Sequence, residues 1–367
     1  MSGNQTGGSR LTPSAWILPL AACGLLIVKL VGLVPADSAL VLTLAAALLA
    51  GAVFAAVHHA EVIALKVGEP FGTLVLALAV TVIEGSLIVS MMFSGGANSS
   101  ALARDTVFAT VMIVCTGVIG LCLFLGSLKH HVVRFRAEGT VPAVAVLATL
   151  ATLTLVLPQF TLTSAGPRYS GAQLAFAGVV SILLYAIYVF IQTIRHRDYF
   201  LPEGGTSEDA HAPPPSFPAT LLSLALLLVA LVAVVGLAKV LSPTIEGAVD
   251  AAGMPHAVVG IAIAMMVLMP ETLAALRSAQ RGRLQTSMNL ALGSALATIG
   301  LTIPAVVVAA SVLDLPLTLG LPATEMVLLS LTLLLTAMTV SAGYATLLQG
   351  AVHLVVFAVF VFLAMVP

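Results

Sequence analysis

Long apolar runs separated by short polar breaks organise this chain. Eleven runs of about 17–25 residues stand out, at approximately 15–34, 38–58, 72–92, 106–126, 140–157, 172–192, 219–240, 256–276, 287–310, 323–341 and 345–365. A helix of about 20 residues rises about 30 Å, the hydrocarbon thickness of a bilayer, so each run is long enough to cross a membrane. The one substantial hydrophilic break is RHRDYFLPEGGTSEDAHAPPPSFP, from Arg195 to Pro218. Rich in proline, glycine and acidic residues, and without apolar periodicity, it reads as a flexible linker. The pattern predicts an all-α polytopic membrane protein of about eleven transmembrane helices. Its expected parts are an N-terminal tail with a first helix (1–37), a five-span segment (38–194), the polar linker (195–218) and a second five-span segment (219–367).

The two five-span segments read as an inverted repeat. HAEVIALKVGEPFGTLVLALAVTVIE, from His59 to Glu84, lines up with EGAVDAAGMPHAVVGIAIAMMVLMPE, from Glu246 to Glu271. At an offset of 187, Glu84 falls on Glu271, His59 on Glu246 and Glu69 on His256. The two glutamates belong to the third and eighth spans, and that odd difference sends their helices through the membrane in opposite directions, as an inverted repeat requires.

Composition agrees with the span count. Hydrophobic residues make up 60% of the chain and charged residues only 8%, against about 25% in soluble domains. A net charge of −1 leaves no footprint for nucleic acid. Cys23, Cys115 and Cys122 all lie inside apolar runs, with no disulfide or metal-knuckle spacing, and read as packing residues. The first run lacks an A-x-A cleavage site and reads as a first span, not a signal peptide. With the N-terminus in the cytoplasm, ten lysines and arginines fall in cytoplasmic segments and three (Arg104, Arg168 and Lys239) on the opposite side. Eleven spans then place the C-terminus outside.

Glu84 and Glu271 carry the strongest chemical signal. A lone carboxylate in mid-membrane costs about 2.5–3.5 kcal/mol or more, and intramembrane ionisable groups mark ion pathways by default. No basic residue stands at mid-depth in the neighbouring spans to neutralise them. Two buried carboxylates are balanced by one divalent cation or by two protons, which is the physical basis of cation/proton exchange. A hard cation takes six to eight oxygens. Candidate donors are Thr81, one turn before Glu84, and carbonyls freed beside Pro270, where an interrupted helix is expected. The next helix of each half is polar and small, and there Asn289 is the stronger candidate for the cation path and Thr110 the weaker. Polar clusters flank the core: His58, His59, Glu61 and Glu69 on one side, and Glu246, Asp250 and His256 on the other. They read either as solvated interfaces or as vestibules that concentrate cations and relay protons. No H-E-x-x-H occurs, and Ser127 near His130 reads as a helix-end pair, so no enzyme is expected.

In these residues the chain resembles the calcium/proton antiporters of the cation/calcium exchanger superfamily, in particular the bacterial ChaA-type branch. Ala60-Glu61, Gly68-Glu69 and Thr81 to Glu84 occupy the places of the first family signature. Ile245-Glu246, GMPHAVVG (Gly253 to Gly260), Pro270-Glu271 and GSALATIGLTIPA (Gly293 to Ala305) resemble the second. The resemblance implies exchange of a cytoplasmic cation for external protons by alternating access, in a bacterial plasma membrane. It makes Glu84 and Glu271 the shared cation and proton ligands, with Glu61, Glu246 and Asp250 as auxiliary acids. No cofactor is implied; Ca²⁺ enters as the transported ion, and the partners are the cations, protons and the bilayer. The family's asparagines before the repeat glutamates are absent here, where Thr81-Val82-Ile83 and Leu268-Met269-Pro270 stand instead. Na⁺ or K⁺ exchange therefore stays open beside Ca²⁺, and a proton-independent cation channel is the alternative of another class.

Overall fold

The computed structural model describes residues 13–34, 38–68, 71–93, 99–201, 215–255 and 257–366. Among the described residues, eleven helices long and apolar enough to cross a membrane follow one another, as the apolar pattern predicts. They are α1 (Pro13–Leu30), α2 (Ala39–Val67), α3 (Phe71–Phe93), α4 (Leu102–His130), α5 (Ala137–Gln159), α6 (Gly171–Arg195), α7 (Phe217–Ala251), α8 (Ala257–Gln280), α9 (Leu284–Val312), α10 (Ala323–Ser341) and α11 (Leu347–Met365). The chain is thus an integral membrane protein of the predicted all-α class. Helices dominate because hydrocarbon offers no partner for backbone polar groups, and a helix satisfies them within one segment.

Two of the helices outrun the predicted spans. The apolar pattern ends the second span near residue 58 and the seventh near residue 240, yet α2 continues to Val67 and α7 to Ala251. At 29 and 35 residues they are about 44 and 52 Å long, well beyond the hydrocarbon layer. The residues read as polar flanks, including His58, His59, Glu61, Glu246 and Asp250, are therefore helical. α2 ends at Gly68, whose φ of 76° favours glycine and whose N–H returns to the Ala64 carbonyl.

The helices gather into two compact units that do not follow chain order. One comprises Met1–Ile83 and Gly205–Leu241, the other Glu84–Gly204 and Ser242–Pro367. In the first, α1 lies along α2, with Gly51 accommodating Leu18, and Gly236 of α7 accommodates Leu26. His59 is fully buried there and donates Nε2–H to the Ala15 carbonyl at 2.8 Å.

In the second unit α4 is the most deeply buried span. It packs against α8, where a Cβ on Gly260 would stand 3.0 Å from the Asp105 and Thr106 backbone, and against α11 through Gly117, Gly120 and Gly350. Without a hydrophobic driving force between helices in lipid, such small residues supply the close van der Waals packing. This unit also holds a feature the apolar pattern did not announce. A two-stranded antiparallel ribbon joins β1 (Val132–Arg134) to β2 (Tyr344–Thr346), with Val133 opposite Ala345.

Candidate functional site

Glu84 sits near the middle of α3 and is 1% exposed. Threonine hydroxyls from two other spans enclose its carboxylate. Thr298 and Thr302 on α9 both donate to Oε2, at 2.9 and 2.8 Å, and Thr110 on α4 donates to Oε1 at 3.4 Å. All three threonines are buried. A hydroxyl carries one proton and two lone pairs, so a donor to the carboxylate still has lone pairs for an incoming cation. The same oxygens accept a hydrogen bond if Glu84 is protonated. One backbone arrangement thus serves the carboxylate with a cation or with a proton.

The local fold of α9 explains this convergence. Thr298 and Thr302 are four residues apart and share a helix face. The segment Thr298–Thr302 winds as a π-helical turn, with the Ile303 N–H drawn back to the Thr298 carbonyl. That takes from the Ile299 carbonyl its usual α-helical donor, and Pro304, lacking an N–H, withholds the one due to Gly300. Two carbonyls without their usual donors therefore lie between the two threonines. Irregular turns of this kind recur at functional sites, and α4 has its own at Ile113–Val118, just after Thr110.

The helix interruption expected at Pro270 does not occur: α8 runs unbroken from Ala257 to Gln280, and the irregular turns fall in α4 and α9 instead. A single missing N–H in a packed membrane helix is absorbed without breaking it. Asn289, the stronger sequence candidate, is engaged elsewhere. Its Nδ2 donates to the Phe200 carbonyl at 2.6 Å and its Oδ1 accepts from Gln285 at 3.0 Å. Nine residues before Thr298, it stands about 13 Å away along α9. Thr110, the weaker candidate, is the one on Glu84.

The remaining candidates are spread along the chain. Glu271 is half-buried on α8, directly after Pro270. Thr81 is buried on α3, and its hydroxyl has no hydrogen-bond partner among the described residues. Glu61 is exposed on α2. Glu246 and Asp250 stand in the last turns of α7, their side chains outside the described part, and Glu69 and His256 lie outside the described residues. No three His, Cys, Asp or Glu side chains come together as a metal-ligand group among the described residues. The oxygens around Glu84 are hydroxyls, whose spacing in GSALATIGLTIPA was the available signal for Thr298 and Thr302.

Comparison with known proteins matches the chain to a family. The sodium/calcium exchanger protein family profile matches residues 37–194 and again residues 222–366. The chain belongs to the sodium/calcium exchanger family. Over 356 residues, 96% of each chain, this exchanger is 46% identical to the putative ionic transporter y4hA of Sinorhizobium fredii. Over 310 residues, 84% of each chain, it is 34% identical to the sodium-potassium/proton antiporter ChaA of Escherichia coli. Among solved structures, native YfkE shares the fold with a TM-score of 0.72 at 16% identity, covering 96% of this exchanger and all of that chain. The H⁺/Ca²⁺ exchanger CAX gives 0.65 at 18% identity, covering 96% and 89%.

Proposed function

We propose that this exchanger is a secondary antiporter that moves a cytoplasmic cation outward against external protons by alternating access. Glu84 and Glu271 are the groups shared by cation and proton, with Glu61, Glu246 and Asp250 as acids on the route. The observation that carries the reading is Glu84, a buried mid-membrane carboxylate whose described partners are neutral hydroxyls. It has a charge to offer and oxygens to complete a shell. On this reading the N-terminus is cytoplasmic, the C-terminus lies outside, and the membrane is the bacterial plasma membrane.

Charge balance decides the cargo. Glu84 with three hydroxyls carries one negative charge, suited to one Na⁺, K⁺ or proton. Glu84 acting together with Glu271 carries two, suited to Ca²⁺ or two protons. Ca²⁺ is the cargo of the two-carboxylate site. The monovalent reading is favoured by the neutral hydroxyls and by the relative named as a sodium-potassium/proton antiporter.

The test uses purified protein in liposomes with an internal pH dye, an imposed pH gradient, and CaCl₂, NaCl or KCl added separately. Glu84→Gln, which keeps the shape and removes the charge, abolishes cation-driven proton movement in a protein that still folds and inserts. Retained exchange in that variant overturns the assignment. Glu271→Gln separates the cargoes: loss of every response supports the two-carboxylate site, and loss of Ca²⁺ with Na⁺ or K⁺ retained supports the monovalent one. Cation flux without proton movement supports a channel.

A further inference from the structure

Beyond the Glu84 site, a fully buried titratable side chain packs against α4, the helix that presents Thr110. His353 on α11 is 0% exposed. Its Nδ1 lies 2.7 Å from the Cys115 carbonyl of α4, and its Nε2 lies 3.0 Å from the Thr339 hydroxyl of α10. A carbonyl only accepts, so Nδ1 is the nitrogen that bears hydrogen here.

The Cys115 carbonyl needs this donor because of the π-helical turn at Ile113–Val118. In a regular α-helix it would receive the Ile119 N–H. Here the Ile119 N–H goes to Val114, five residues back. His353 supplies the hydrogen bond that the turn takes away, as a buried backbone oxygen requires.

The turn also sets which way the two ends of α4 face. In an unbroken α-helix, residues seven apart lie about 20° from each other, so Thr110 and Gly117 would share a face. One inserted residue rotates the later half by about 100°. Thr110 can then meet Glu84 while Gly117 and Gly120 meet α11. A Cβ at Gly120 would stand 3.0 Å from the Cβ of His353, and one at Gly117 3.3 Å from the Phe357 ring. If the turn reverted to α-helix, α4 could keep its seam with α11 or the Thr110 contact with Glu84, but not both.

We infer that His353 is a positioning residue of the exchange site: by capping the Cys115 carbonyl it holds the π-helical turn that aims Thr110 at Glu84. This rests on the antiport reading above. His353 touches neither Glu84 nor the cation; it acts through the register of α4.

The full-length protein in liposomes tests it, with CaCl₂ and NaCl as probes and His353→Leu, His353→Asn and His353→Gln compared with the native chain. Asparagine places an amide N–H where Nδ1 stands, whereas glutamine places it one bond farther out. His353→Leu raises the half-saturating cation concentration about tenfold, the effect of one hydrogen bond to a charged group, with the maximal rate changed less. His353→Asn restores the native value and His353→Gln does not. Amide hydrogen exchange over residues 110–119, read on the same samples, is faster in the leucine and glutamine variants and native in the asparagine variant. If His353→Leu does not fold, the comparison of asparagine with glutamine decides. Equal behaviour of those two, or native half-saturation and native protection in His353→Leu, overturns the inference. If the native chain drives no proton movement, the antiport reading fails, and amide exchange still decides whether His353 holds the turn.

Discussion

The two hydroxyls on Glu84 Oε2 make a double-mutant cycle of Thr298→Val and Thr302→Val informative. Valine keeps the shape of threonine and removes the donor. Each hydroxyl bonds the same oxygen at close to ideal distance, 2.9 and 2.8 Å, while Thr110 reaches the other oxygen at the outer limit, 3.4 Å. A hydrogen bond to a charged group contributes about 1.5–3 kcal/mol. Either single variant leaves Oε2 one donor, so the loss falls at the low end of that range. The double variant leaves an oxygen of a carboxylate that is 1% exposed with no threonine donor, and its desolvation cost is no longer offset. The cycle therefore shows a coupling of about 1 kcal/mol or more beyond the sum of the singles. For a unit of about 250 residues, about 2–4 °C of apparent melting temperature corresponds to each kcal/mol. The singles then melt about 3–6 °C below the native protein and the double about 8–16 °C below, read by thermal scans in detergent at one fixed scan rate. Thr110→Val shifts the midpoint least. Strict additivity of Thr298→Val and Thr302→Val, or a Thr110→Val effect larger than either, refutes the shared-oxygen reasoning.

Two further perturbations probe the frame around the site. Arg104 holds Asp105 through Nε and Nη2, both at 2.7 Å from Oδ1, and the pair is only 14% and 10% exposed, so Arg104→Met strands a buried charge. It costs about 3 kcal/mol in thermal stability, and Asp105→Asn in the same chain recovers part of the loss; equal stability of all three chains counts against the pair. At Gly300, inside the π-helical turn of α9, an added Cβ would stand 2.7 Å from the Tyr185 Cβ. Gly300→Ala lowers the melting temperature by the equivalent of about 1–3 kcal/mol and raises the half-saturating cation concentration, because the threonines on Glu84 flank the shifted residue. An unchanged cation response in a destabilised Gly300→Ala protein would separate packing there from the site.

Eleven spans and the burial of a carboxylate at Glu84 were readable along the chain. Each rests on transfer free energy, which acts residue by residue: an apolar run of about 20 residues prefers hydrocarbon wherever it packs, and a carboxylate inside such a run is costly whatever its neighbours. The helix ends were less readable, because α2 and α7 continue as helices past their apolar runs, where hydropathy no longer reports on conformation. Of the partners of Glu84, only Thr110 stood among the sequence candidates, and as the weaker one. Threonine is neutral and common in apolar helices, and there its hydroxyl often bonds a carbonyl of its own helix, as Thr154 does with Leu150 at 2.7 Å. Only the convergence of α9 and α4 on Glu84 sends Thr298, Thr302 and Thr110 to the carboxylate instead. Packing also turned Asn289 toward Phe200 and Gln285, although an amide in a span is the louder signal. The π-helical turns left no mark in the apolar pattern, since a one-residue insertion changes which face a side chain occupies without changing its hydropathy. What the sequence determined by itself was where the membrane is crossed and where an uncompensated charge must be answered. What the tertiary structure decided was which oxygens answer it, because that depends on helix rotation and register, and these are set by contacts between spans far apart in the chain.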